Sequence, residues 1–181
     1  MRLVLAATVA LLACGPLALH ATNWPQWRGP ALHGSSPDTG IPMTWDPRTN
    51  VAWSLMLPDF SGATPIVWDD TVFLNVADGG DLALWAVNRR TGKRRWTQSL
   101  GTGNRRARKQ NLSSPSPVTD GNTVWAITGT GWLAGFDFTG KPLWTRDIPQ
   151  DYGAFGLQWG YASSPLLMNG ALYLQVLHGM L

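Results

Sequence analysis

The chain has 181 residues, with 14 lysines and arginines against 11 acidic residues, a formal net charge of +3. Hydrophobic residues make up 44% of it and charged residues only 14%, which excludes a disordered chain. Eleven tryptophans, twenty glycines, thirteen prolines and no long amphipathic helical pattern make the fold class all-β.

Arg2, the apolar stretch from Leu3 to Ala13 and the small-residue site Leu19-His20-Ala21 read as a signal peptide over residues 1–21. Such a stretch is too short to span a bilayer, which takes about 20 apolar residues. Leu11-Leu12-Ala13-Cys14 also has the form of a lipobox, so lipidation at Cys14 is the one route to membrane attachment that the sequence offers. Cleavage after Ala21 would leave no cysteine, and with it no disulfide, thiol chemistry or cysteine metal site. The expected location is the periplasm or outer-membrane surface of a bacterium.

Residues 22–62 form an N-terminal segment, in which residues 50–56 read as a single strand with no partner before it. Three repeats follow. Each runs a small residue into proline (Thr64-Pro65, Ser116-Pro117, Ser164-Pro165) and places a hydrophobic pair seven residues on (Val72-Phe73, Val124-Trp125, Leu172-Tyr173). The prolines lie 52 and 48 residues apart, the period of propeller blades or other stacked repeats.

The first repeat, over 63–100, predicts strands at 64–68, 71–77, 82–88 and 93–99. A basic loop, 101–112, joins it to the second repeat, 113–148, with strands at 116–119, 123–128, 132–138 and 141–148. A glycine-rich aromatic connection, 149–162, leads to a third repeat, 163–181, which holds strands at 163–168 and 171–177 around the hairpin signal Asn169-Gly170. Four short antiparallel strands per repeat make a meander sheet, and such sheets ring up into a β-propeller of four-stranded antiparallel blades. About two and a half blades plus an N-terminal closing strand cannot complete a ring, so the chain is expected to be a fragment of a longer propeller, monomeric when complete.

Two segments carry a family resemblance. Ala86-Val87-Asn88-Arg89-Arg90-Thr91-Gly92-Lys93-Arg94-Arg95-Trp96 is similar to the tryptophan-docking motif of quinoprotein propellers, with Asn88 at a position that favours aspartate. Asp137-Phe138-Thr139-Gly140-Lys141-Pro142-Leu143-Trp144 is a second copy, one residue shorter before the threonine and preceded by Gly135 where the motif has alanine. The opening Asn23-Trp24-Pro25-Gln26-Trp27-Arg28-Gly29-Pro30 resembles the start of exported bacterial propellers of the same group. The chain thus resembles the PQQ-like repeat β-propellers, which include outer-membrane assembly lipoproteins and quinone-dependent dehydrogenases.

The motif has a physical account without a cofactor. Gly92 and Gly140 permit a tight turn, Asn88 and Asp137 can accept backbone N–H groups, and Trp96 and Trp144 can pack across the seam to the next blade. The resemblance raises pyrroloquinoline quinone and calcium as cofactors. The dehydrogenases of that family use a glutamate and an asparagine as metal ligands and an aspartate as base, often with a vicinal disulfide against the cofactor. With no glutamate and no mature cysteine, this stretch supports neither cofactor and assigns no catalytic or metal residue.

Other features are weaker. His20, His33 and His178 share no metal-ligand spacing. Asn111-Leu112-Ser113 matches a glycosylation sequon. Nine of the fourteen basic residues fall between Arg89 and Lys109, a stretch without acids. In an exported protein this block reads as solvated loops and an exposed outer strand, with no nucleic-acid partner. The segment from Tyr152 to Tyr161 reads as a crossover packed on the core, or as a platform for a ligand or peptide centred on Trp159 and Tyr161. The leading expectation is an exported, non-catalytic scaffold that binds a protein, peptide or ligand. The alternative is the N-terminal part of a quinone-dependent alcohol or sugar dehydrogenase.

Overall fold

The computed structural model describes residues 21–107, 110–157 and 160–176. The expected signal peptide with Cys14 and His20, and the residues Trp159 and His178, lie outside that range.

The first sheet contains β1 (Ile66–Trp68), β2 (Thr71–Asp78), β3 (Asp81–Asn88) and β4 (Arg94–Thr102), hydrogen-bonded in chain order and antiparallel throughout. A two-residue pair follows, β5 (Arg106–Ala107) with β6 (Gln110–Asn111), inside the stretch expected to be a plain loop. The second sheet repeats the meander with β7 (Val118–Thr119), β8 (Thr123–Ile127), β9 (Trp132–Asp137) and β10 (Pro142–Asp147). A short helix, α1 (Ile148–Tyr152), precedes the third sheet, the hairpin β11 (Leu166–Met168) and β12 (Ala171–Tyr173). The fold is therefore all-β, built of four-stranded antiparallel blades, and the described residues form an unclosed propeller segment.

The differences from expectation are local. β1, β7 and β11 start later than expected because Pro65, Pro117 and Pro165 have no N–H to give a ladder. Ile148 opens α1 instead of ending β10: the Asp147 carboxylate caps the helix by accepting the Gln150 N–H, and proline lies in its first turn. Residues 50–56 make no ladder in the described structure. They nevertheless alternate in burial as a strand does, with Trp53, Leu55 and Leu57 turned inward onto the first blade.

Blades pack face to face. Phe73, Leu84 and Ala86 of the first blade meet Val124, Ala126 and Phe136 of the second in one buried cluster. Trp53, Leu55 and Leu57 cover the opposite face of the first blade, against Leu74, Val76, Trp85 and Val87. On the far side of the second blade, Ile127, Leu133, Ile148 and Tyr161 pack with Leu172, Leu174 and Val176 of the third. The inner strands share a further device. The backbone N–H of Thr64 donates to Ser116 Oγ at 2.8 Å, and that of Ser116 donates to Ser164 Oγ at 2.9 Å. The residues before Pro117 and Pro165 thus each offer a hydroxyl to the blade before, which accounts for serine at those two places in the repeat.

The N-terminal segment crosses all three inner strands. Trp24 exchanges two backbone hydrogen bonds with Val67, at 2.8 and 2.9 Å, and the Pro25 carbonyl accepts the Thr119 N–H at 2.9 Å. The Gln26 side chain completes the row: its Oε1 accepts the Leu167 N–H at 3.1 Å and its Nε2 donates to the Leu167 carbonyl at 3.4 Å. Val67, Thr119 and Leu167 each stand two residues after a repeat proline. The amide of Gln26 does for the third blade what a backbone peptide does for the first.

Candidate functional site

The motif turns are organised as their sequence implies. Asn88 Oδ1 accepts the Arg90 and Thr91 N–H groups, both at 3.0 Å, and the Thr91 hydroxyl at 3.1 Å. Asp137 Oδ1 accepts the Thr139 N–H at 2.8 Å, its hydroxyl at 2.6 Å and the Lys141 N–H at 3.0 Å. These bonds, led by the one from the Thr139 hydroxyl, hold the Asp137 carboxyl below its ordinary pKa. Gly92 and Gly140 take φ of +69° and +91°. A bulge sits at the same place in both blades, leaving Arg95 and Leu143 as the extra residues just before each tryptophan. It rotates the indole out of the sheet toward the seam.

Trp96 Nε1 donates to the Phe138 carbonyl at 3.0 Å, and its ring lies on Gly140. A third docking tryptophan escaped the sequence reading: Trp53 Nε1 donates to the Arg89 carbonyl at 2.7 Å and its ring lies on Gly92. The signal for it was present one residue out of register. Asp46 accepts the Arg48 N–H, and Asn50 takes the left-handed conformation (φ +60°) that glycine takes in the other turns. Residues 46–53 are thus a variant copy of the motif, with one residue fewer between the left-handed position and the tryptophan.

Trp144 is placed differently. Its ring is 41% exposed and borders a cavity of about 390 Å³ whose other walls include Leu133, Arg146, Tyr152, Leu172 and Val176. Arg146 is held there by Asp151 at 2.8 Å, with its guanidinium 5.7 Å from the Tyr152 ring centre. No Thr-Gly turn covers this indole among the described residues.

The remaining candidates fall away from one another. Tyr161 is fully buried, stacked on Phe155 at 4.6 Å, with its hydroxyl lacking a partner among the described residues. Burial pushes its pKa up. Asn111 and Ser113 of the sequon are buried and bonded to each other, Ser113 Oγ to Asn111 Oδ1 at 2.7 Å, so the side chain that would carry a glycan is occupied. In the basic block, Arg94 lies 4.4 Å over the Trp85 ring, Arg90 pairs with Asp70 at 3.2 Å, and Arg95 donates to the Thr71 hydroxyl at 2.9 Å. His33 Nδ1 accepts the Ser35 N–H. Among the described residues no three His, Cys, Asp or Glu side chains gather where a metal could bind.

Blades of this form, seamed by tryptophan on a Thr-Gly turn, define a PQQ-like repeat β-propeller. The family model described as outer membrane protein assembly factor BamB matches residues 40–176, and the chain belongs to that family. No curated protein matches it. Among solved structures it is similar to the quinohemoprotein alcohol dehydrogenase ADHIIG of Pseudomonas putida HK5, at 19% identity and a TM-score of 0.45, over 65% of this chain and 17% of that one. It is also similar to the quinohemoprotein alcohol dehydrogenase of Comamonas testosteroni, at 18% identity and a TM-score of 0.43, over 61% of this chain and 16% of that one. The chain thus spans only a small part of the length of these structures.

Proposed function

We propose that the chain is part of an exported, non-catalytic scaffold that docks a partner polypeptide in the apolar cleft beside Trp144. The observation that carries this reading is the contrast between equivalent indoles. Trp53 and Trp96 are each seated on a glycine turn and bonded to its carbonyl, whereas Trp144 keeps an apolar cleft beside it. A β-hairpin with a tight glycine turn is the shape that fills the equivalent cleft elsewhere in the same molecule. Membership in a family described by an outer-membrane assembly factor supports the reading.

The test is titration of the full chain with a synthetic hairpin peptide copying residues 132–147. Saturable heat in isothermal titration that is lost in Trp144→Ala supports the proposal; no binding to the parent chain overturns it. A parallel titration with pyrroloquinoline quinone and calcium, followed by dye-coupled alcohol or aldose oxidation, addresses the dehydrogenase alternative. Turnover there would replace the scaffold reading.

A further inference from the structure

The segments that enter the three inner strands converge on one cavity of about 380 Å³, within the range of about 300–1,000 Å³ common to small-ligand sites. Its walls come from equivalent places in the repeat. Gly62, Ser114 and Ala162 each stand three residues before a repeat proline, and Ser116 and Ser164 stand immediately before theirs. Ser163, Gln175 and the half-exposed indole of Trp27 complete the lining.

The hydrogen-bonding capacity of this cavity is unbalanced. Ser116 Oγ and Ser164 Oγ spend an acceptor site on a neighbouring blade's N–H, which leaves each hydroxyl proton to donate. Ser114 Oγ is buried and has no partner at all among the described residues. A buried hydroxyl without a partner is costly, and it is satisfied by a ligand oxygen or an ordered water. No lining residue is charged. The Arg28 guanidinium, outside the lining, lies 5.6 Å from the centre of the Trp27 ring and donates to the His33 carbonyl.

We infer that this inner cavity binds a neutral saccharide, with Trp27 as the stacking platform and the serine hydroxyls with Gln175 as the polar contacts. A sugar ring presents an apolar face to an indole and a rim of oxygens that both accept and donate, which matches a lining of one indole, serine hydroxyls and an amide. An anion would find hydroxyl donors but no charge partner in the lining. The site is separate from the seam at Trp144, and its occupancy does not depend on the scaffold reading.

Isothermal titration of the full chain with maltose, sodium sulfate and tetraglycine in separate arms tests this. Saturable maltose binding is expected, weakened about threefold to tenfold by Ser114→Ala, the effect of losing one neutral hydrogen bond. Trp27→Ala is expected to weaken it by at least about tenfold. Neither side chain supports a seam, so both variants should keep the parent urea midpoint; should Trp27→Ala unfold, Ser163→Ala takes its place with the same threefold to tenfold loss. No heat from maltose up to about 50 mM overturns the inference, since binding weaker than that falls below the millimolar range. So does competition by sulfate, preferential binding of tetraglycine, or maltose binding that Trp27→Ala and Ser114→Ala leave unchanged.

Discussion

Trp96 and Gly140 meet across the seam between the first two blades: the indole covers the glycine so closely that a Cβ there would lie 2.9 Å from the ring. The contact is steric and conformational together, because Gly140 also has φ +91°. Gly140→Ala is expected to destabilise the chain by about 1–3 kcal/mol, read as a lowered urea midpoint at unchanged slope. A midpoint equal to that of the parent would sink the docking account.

The three docking tryptophans should rank by what they touch. Trp96→Phe removes the bond to Phe138 and should cost about 1 kcal/mol. Trp53→Ala removes both a bond and the cover over Leu74, Val76 and Val87, and about 3 kcal/mol is expected. Trp144→Ala, with an exposed ring, should fall within about 1 kcal/mol of the parent. Thermal melts of the three variants check the order, and an equal loss from Trp144→Ala would contradict it.

Much of this array can be read directly from the chain. Turn residues and period-two patterning located every meander strand, and Asn169-Gly170 adopts left-handed φ at both positions, 52° and 75°, as a type I′ hairpin requires. Trp53 was missed because it follows its turn one residue early and the turn uses Asn50 for glycine. α1 was missed because Pro149 was taken as loop, although Asp147 ahead of it is a helix-start signal. The course of Trp24-Pro25-Gln26 was illegible for a different reason: its partners lie 43 to 141 residues away and no local period encodes them. Tyr161 lies in a stretch that reads either as a crossover packed on the core or as a platform, and tertiary packing alone puts it beneath Phe155.

Ser116 is the joint between blades one and two at the inner strands. Ser116→Ala strands the Thr64 N–H without its acceptor and should cost about 1–3 kcal/mol. Ser116→Thr, which keeps the hydroxyl, should cost less. Hydrogen exchange at the Thr64 amide is the direct reading: faster in the alanine variant and near the parent rate in the threonine one.

Acid should weaken the second motif turn before the first. The folded Asp137 carboxyl has a pKa below its ordinary value near 3.8, so its contribution is complete above the unfolded pKa and is lost as pH falls from about 4 through the folded value. Asn88, its counterpart, does not titrate. Asp38 and Asp46 shift in the same direction, so the comparison is made against Asp137→Asn, which should flatten part of the acid limb of stability. An unchanged acid limb in that variant would assign the pH dependence elsewhere.

Gln26→Leu keeps the volume but removes both bonds to Leu167. The β11–β12 hairpin should then open first, seen as selective loss of exchange protection at Leu167 while Val67, bonded to Trp24, stays protected.

The row of contacts made by Trp24, Pro25 and Gln26 also sets an order of events. Gln26, the last of the three to be synthesised, finds its partner 141 residues later, so this stitch closes only after the third hairpin exists. Closing so long a loop is slow, and until then the inner edges of the blades stay open to wrong pairings. The segment acts in time as a latch: its contacts with the first two blades can form as those blades do, and the one with the third closes last.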